Sequence, residues 1–140
     1  MGNILNIFKR NKEDLIFIET WTEKYYIDSQ GRKQGEYKGF SPNGNILIKC
    51  NYDDDKLNRK CIDYYTNTDI ISTESNYSKG LLHGEYIGYY GLKRKWFEGN
   101  FVNGKKEEKW IHYKNDDENT EKEYKYYQDG VECDPPSNSN

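Results

Sequence analysis

The sequence contains no alanine and only four arginines among its 140 residues. Helical bundles rely on alanine and leucine, so this absence argues against an all-helical fold. Cysteine is also scarce: there are three residues and no Cys-x-x-Cys motif, which indicates neither a disulfide framework nor a zinc site. We therefore expect a protein of a reducing, intracellular compartment.

Long apolar runs are missing as well. The longest, residues 15–18, is far shorter than the roughly 20 residues of a membrane helix, and no signal peptide is recognisable. The net charge of -3 and the isoelectric point of about 5.5 do not indicate a nucleic-acid-binding protein. These absences predict a cytoplasmic protein that does not bind nucleic acid.

Aromatic residues supply most of the large apolar side chains. The chain has 14 Tyr, 5 Phe and 3 Trp, although its mean hydropathy is only -1.18. Disordered chains are poor in aromatic residues, whereas strands are rich in them. We therefore expect an all-β protein whose strands carry amphipathic rings.

A repeat of 24 or 25 residues runs through most of the chain. Its first aromatic column holds Tyr37, Cys61, Tyr86 and Trp110, and its second holds Phe40, Tyr64, Tyr89 and Tyr113. Residues three apart lie on opposite faces of a strand, so the columns predict one ladder of side chains on each face. Each unit is expected to be a β-hairpin, with the clearest turn at Asn43-Gly44.

The repeat predicts the following domain organisation. A partial unit covers residues 21–34, and full units cover about 35–58, 59–83, 84–107 and 108–133. Two further turns are expected at Gly91-Leu92 and Asn115-Asp116. Residues 134–140, which include Pro135 and Pro136, are predicted to be a disordered tail.

The strings Gly-x-Tyr-x-x-Tyr, Asn-Gly and Asn-Tyr-x-x-Gly-Lys resemble MORN repeats, in particular their degenerate variant form. The best unit is residues 84–106, and the resemblance covers about residues 21–132. It departs most in the second unit, where Arg59 replaces Gly and Cys61 replaces an aromatic residue. The resemblance implies an elongated antiparallel β-meander of successive hairpins that acts as a scaffold for proteins or lipids.

Residues 1–20 do not fit the repeat. The spacing of Ile4, Leu5 and Phe8 suits a short amphipathic helix, so we expect a helical or irregular cap over the first open strand edge. The alternative is a membrane anchor through acylation of Gly2. We favour the cap, because the acylation pattern wants Ser or Thr where Asn6 stands.

Residues with reactive side chains do not form a recognisable catalytic motif. His83 and His112 fall on different elements of the repeat, and Asp53 to Asp55 lack the spacing of a calcium loop. Cys50 and Cys61 flank one turn between units, so a disulfide between them is geometrically conceivable. We predict a protein that is not an enzyme and that holds no metal or cofactor.

Three functions compete. The first, which we favour, is a protein-binding or scaffold module whose exposed anchors are Tyr89, Tyr90, Trp96, Trp110 and Tyr113. The second is a membrane-associated adaptor that uses Gly2 and a set of basic residues, namely Lys93, Arg94, Lys95, Lys105 and Lys106. The same basic residues could instead meet an acidic protein patch or protect strand edges. The third, implied by the variant MORN resemblance, is an antitoxin-like inhibitor of a toxin. Open strand edges would also allow a homodimer.

Overall fold

The computed structural model describes residues 8–9, 14–115 and 121–137. The described residues form strands, turns and irregular segments, and no helix occurs among them, so none of them belongs to a helix that could cross a membrane. All the strands belong to one open antiparallel sheet. The predicted all-β meander of successive hairpins is therefore confirmed.

The strands follow one another across the sheet in chain order, except that two short strands pair beside the main path, β6 with β5 and β9 with β8. Their bounds are β1 (Phe8–Lys9), β2 (Ile16–Glu19), β3 (Glu23–Ile27), β4 (Lys33–Phe40), β5 (Ile46–Asp53), β6 (Lys56–Leu57), β7 (Arg59–Tyr64), β8 (Ile71–Ser78), β9 (Leu81–Leu82), β10 (Gly84–Gly91), β11 (Arg94–Val102), β12 (Lys105–Tyr113), β13 (Lys122–Gln128) and β14 (Val131–Cys133). Each unit of the sequence repeat corresponds to a hairpin.

The segment before the repeat contributes strands to the sheet. The apolar run around Ile18 forms β2, which pairs with β3, and β1 pairs with β2 through Phe8 and Phe17. The helix expected over Ile4 and Leu5 lies outside the described residues, and its last position, Phe8, is in a strand. Ile18 is buried, which explains why this run is apolar.

The turns between units use left-handed backbone conformations. Asn103 and Gly104 both have positive φ, at 49° and 82°, as a two-residue type I′ hairpin turn requires. Asp55 takes the glycine position in the first unit, with φ 64°. The first residue of each full unit also has a left-handed backbone conformation. The motif has glycine at this position, but the second unit has Arg59 and the fourth has Glu108, with φ of 66° and 58°.

The two predicted ladders lie on opposite faces of the sheet. On the first, which we call the aromatic face, strand pairing aligns Tyr25, Tyr37, Cys50, Cys61, Ser75, Tyr86, Gly99 and Trp110 in one central row. On the second, the charged face, it aligns Lys24, Lys38, Lys49, Ile62, Glu74, Ile87, Glu98 and Ile111. Phe40, Tyr64, Tyr89 and Tyr113 contact Lys24, Lys49, Glu74 and Glu98 of that second row. The assignment of the two aromatic columns to two faces is therefore confirmed.

Candidate functional site

Two of the five predicted partner anchors are buried. Trp110 is only 2% exposed, so the expectation that it is an exposed anchor is wrong. Its ring covers Gly99, where a Cβ atom would lie 2.2 Å from it, and its indole nitrogen donates a hydrogen bond to the Asn100 carbonyl oxygen at 3.3 Å. Lys106 lies over the ring, with its ammonium 4.3 Å from the centroid.

Tyr113, which is 9% exposed, is likewise no exposed anchor. Its hydroxyl donates a hydrogen bond to Glu98, and burial together with this bond raises the pKa of Tyr113 to about 12. Tyr89, which is half-buried, donates in the same way to Glu74 at 2.7 Å. These two tyrosines hold neighbouring hairpins together on the charged face.

The exposed part of the predicted site lies at the turn between β10 and β11. We call this the tip cluster and define it as Tyr90, Leu92, Lys93 and Trp96. Leu92 is 81% exposed and Trp96 is 48% exposed. The rings of Tyr90 and Trp96 lie 5.5 Å apart, which is within the range of favourable aromatic contacts. The cluster therefore exposes two large apolar side chains, Leu92 and Trp96, near one turn.

Two backbone irregularities create this surface. The β10–β11 register changes between Gly88 and Tyr89, which leaves Trp96 as the extra residue of a β-bulge, and bulges re-aim side chains. The turn itself is formed by Leu92 and Lys93, at φ 46° and 63°, one residue later than the Gly91-Leu92 turn expected from the sequence. Left-handed conformations cost such residues about 1–2 kcal/mol each.

The predicted basic residues do not form a single patch. Lys93, Arg94 and Lys95 lie near the tip at the start of β11, whereas Lys105 and Lys106 follow its far end. A strand of this length spans about 25–30 Å. The two groups therefore lie at opposite ends of β11.

Three of these five cations have partners within the sheet. Lys95 forms an ion pair with Glu98, and Lys106 lies over the rings of Trp110 and Tyr127. Lys105 lies 3.5 Å from Asp129, but this pair is exposed to solvent and contributes little to stability. The candidate acylation site, Gly2, lies outside the described residues.

The two histidines do not meet. His83 accepts a hydrogen bond at Nδ1 from the Asn103 amide at 3.3 Å, in a turn between units. His112 lies on β12 against Phe97, with 6.2 Å between ring centroids, and burial lowers its pKa. Within residues 8–9, 14–115 and 121–137, no three acidic, cysteine or histidine side chains are grouped so that they could hold a metal ion.

The consecutive aspartates Asp53 to Asp55 lie at the end of β5 and in the turn that follows it. Asp55 accepts a hydrogen bond from the Lys33 amide at 2.7 Å, and Asp54 accepts one from the Gln34 side chain at 2.6 Å. These bonds join the turn after β5 to the start of β4. The carboxylates therefore stabilise the contact between two units.

The sequence analysis did not predict that a lysine lies over several tyrosine rings on the aromatic face. The Lys33 ammonium lies 4.8 Å, 4.7 Å and 5.2 Å from the ring centroids of Tyr25, Tyr37 and Tyr52. Lys106 occupies the equivalent position of the fourth unit, over Trp110 and Tyr127. The signal was present in the repeat, because both lysines precede the first residue of their unit by two positions.

Comparison with known proteins does not name a family. No protein-family model matches the chain, and no curated protein matches it at a significant level.

Proposed function

We propose that this chain is a non-enzymatic, MORN-like repeat module that binds a protein partner through the tip cluster. The observation that carries the proposal is the pair Leu92 and Trp96, two large apolar side chains exposed together at one turn. Monomeric proteins seldom keep such patches without a use, and tryptophan is enriched among the residues that dominate binding energy.

The turn conformation supports the same proposal. Asn-Gly would form a type I′ turn without strain, yet this turn places a leucine and a lysine at positive φ. Strained, sparsely populated conformations cluster at binding sites. The sequence thus places an exposed apolar side chain where a small polar one would be more stable.

The sheet also holds the tip cluster in place. Trp96 contacts Phe97, with ring centroids 5.1 Å apart, and the Tyr90 hydroxyl donates to the Tyr113 carbonyl oxygen at 3.2 Å. The second contact ties the tip to the neighbouring strand. A surface held in this way loses little conformational entropy on binding.

The two alternatives use different parts of the molecule. An antitoxin-like inhibitor would be a special case of this proposal, in which the partner is a toxin. A membrane-associated adaptor would need the basic residues to act together, and their placement at opposite ends of β11 gives this function less support. We therefore favour a protein partner over a lipid surface.

The test is affinity capture from a lysate of the source organism, with bound proteins and lipids identified by mass spectrometry. The Leu92→Ser/Trp96→Ser variant is compared with wild type and with Trp21→Ser. Trp21 is the matched control because it is 75% exposed at another hairpin turn. We expect a protein that is captured by wild type and by the Trp21 variant but lost with the tip variant.

Circular dichroism of each variant checks that the sheet is intact. Undiminished capture by the tip variant would contradict the proposal. Enrichment of lipid alone would favour the adaptor, and recovery of a toxic protein would identify the module as an inhibitor.

A further inference from the structure

Cys50 on β5 and Cys61 on β7 face each other across two neighbouring strands, where the first repeat unit meets the second. The β5–β7 pairing aligns Ile48 with Asp63 and Lys49 with Ile62, and continuing this register places Cys50 opposite Cys61. Directly opposed residues of antiparallel strands have Cα atoms about 4.5–5.5 Å apart. Disulfides span Cα separations of about 4.4–6.8 Å, so the register suits a bridge.

The two thiols lie side by side in the reduced protein. Both are free and buried, at 2% exposure each, and the strand register places them on the same face of the sheet. Within the described residues, the third cysteine is Cys133, which is exposed on β14.

We propose that Cys50 and Cys61 form a dithiol site that a small-molecule disulfide, such as glutathione disulfide, oxidises to an intrachain disulfide. The site is distinct from the tip cluster and does not depend on the proposed partner. Its product would be a covalent link between β5 and β7.

Either cysteine can start the reaction, because the two are equally buried, at 2% exposure each. The thiolate form of a cysteine is the nucleophile of exchange.

The reaction balances without a further oxidant. The thiolate of one cysteine attacks one sulfur of glutathione disulfide, the bond between the two glutathione sulfurs breaks, and one glutathione thiolate leaves. The other cysteine then gives up its proton and attacks the protein sulfur of the mixed disulfide, which releases the second glutathione. Two protein thiols are oxidised, and one glutathione disulfide is reduced to two glutathione thiols.

Access to the buried thiols requires local opening of the second unit. This unit starts at Arg59, whose φ of 66° is unfavourable for a residue with a side chain. It also lacks the aromatic residue of the first column, since Cys61 stands there. Segments with weak local contacts open more readily than the rest of a fold.

The test uses a Cys133→Ser variant, which keeps the dithiol and removes the exposed thiol. The folded Cys133→Ser protein is incubated with glutathione disulfide. It is then unfolded, alkylated and analysed by mass spectrometry. We expect the loss of two hydrogens, no alkylated cysteine, and a fragment that joins the peptides of Cys50 and Cys61. The link removes conformational freedom from the unfolded chain, so we expect Tm to rise by about 10 °C. Reduction of the bond with dithiothreitol should lower Tm to its original value.

Two matched controls test whether both cysteines are needed. Cys61→Ser/Cys133→Ser and Cys50→Ser/Cys133→Ser should each stop at a single glutathione adduct, because neither variant has a second thiol that can displace the glutathione. If Cys50 and Cys61 were both alkylated after the folded Cys133→Ser protein had been treated with glutathione disulfide, the proposal would be overturned. A disulfide that forms only in the presence of denaturant would also overturn it, because it would show that the native sheet prevents the reaction.

Discussion

The central row of the aromatic face buries its side chains in two different ways. In the second unit it holds Cys61 and Ser75, and in the third and fourth it holds Gly99 and Trp110. Cys61, Ser75 and Trp110 are equally buried, at 2% exposure. Burial in this one-layer sheet therefore does not measure how much a unit contributes to stability.

The size of the buried contact differs instead. Trp110 lies 5.2 Å from Phe101 and 6.2 Å from Tyr86 and Tyr127, measured between ring centroids. Ser75 and Cys61 have small side chains, which make far smaller contacts. Because repeat arrays are stabilised largely by contacts between neighbours, we infer that the second unit depends on the units beside it.

The largest expected effect separates the two kinds of unit directly. Trp110→Ala should lower the free energy of unfolding by about 3–5 kcal/mol, because it removes a buried ring and leaves its neighbours uncovered. Cys61→Ala removes one atom and should cost about 1 kcal/mol. Urea unfolding followed by circular dichroism measures both, and equal losses would contradict the distinction.

The second and fourth units each begin with a residue in an unfavourable backbone conformation. Replacing that residue should have the same effect in both units. Arg59 begins the second unit and Glu108 the fourth, and both have left-handed φ. Arg59→Gly and Glu108→Gly should each stabilise the protein by about 0.5–1 kcal/mol, because relief of backbone strain outweighs the added entropy of the unfolded chain. Thermal unfolding measures the gain.

Alanine at the same two positions is the control. It removes the side chain but keeps the unfavourable φ, so it should give no gain. A gain from alanine would assign the effect to side-chain charge instead of backbone strain.

Much of the fold was predictable because the repeat records local geometry. The spacing of Tyr37 and Phe40 assigned two faces correctly, and Asn43-Gly44 marked a turn. The burial of Trp110 was not predictable in this way, since it depends on Gly99 and Phe101 of β11 and on Tyr127 of β13, which lie on the neighbouring strands. The bulge that exposes Trp96 also lacks a local sequence signature.

The smallest effect concerns pH and again contrasts the two regions. Burial raises the pKa of Asp63 in the second unit above its ordinary 3.8. At Glu98 in the third unit, burial also acts to raise the pKa, but hydrogen bonds from Lys95 and from Tyr113 of the fourth unit lower it below 4.5. Ionised Asp63 therefore destabilises the fold above its raised pKa, whereas ionised Glu98 stabilises it at neutral pH.

The corresponding variants should have opposite effects at pH 7. Asp63→Asn should raise Tm by about 1–2 °C, and its advantage should shrink as the pH falls through the raised pKa and vanish below 3.8. Glu98→Gln should lower Tm above pH 4.5, and its disadvantage should fade as the pH falls through the lowered pKa of Glu98. Calorimetric scans between pH 3 and pH 8 test both signs. If both variants raised Tm at pH 7, the hydrogen bonds to Glu98 would not outweigh the burial of its charge.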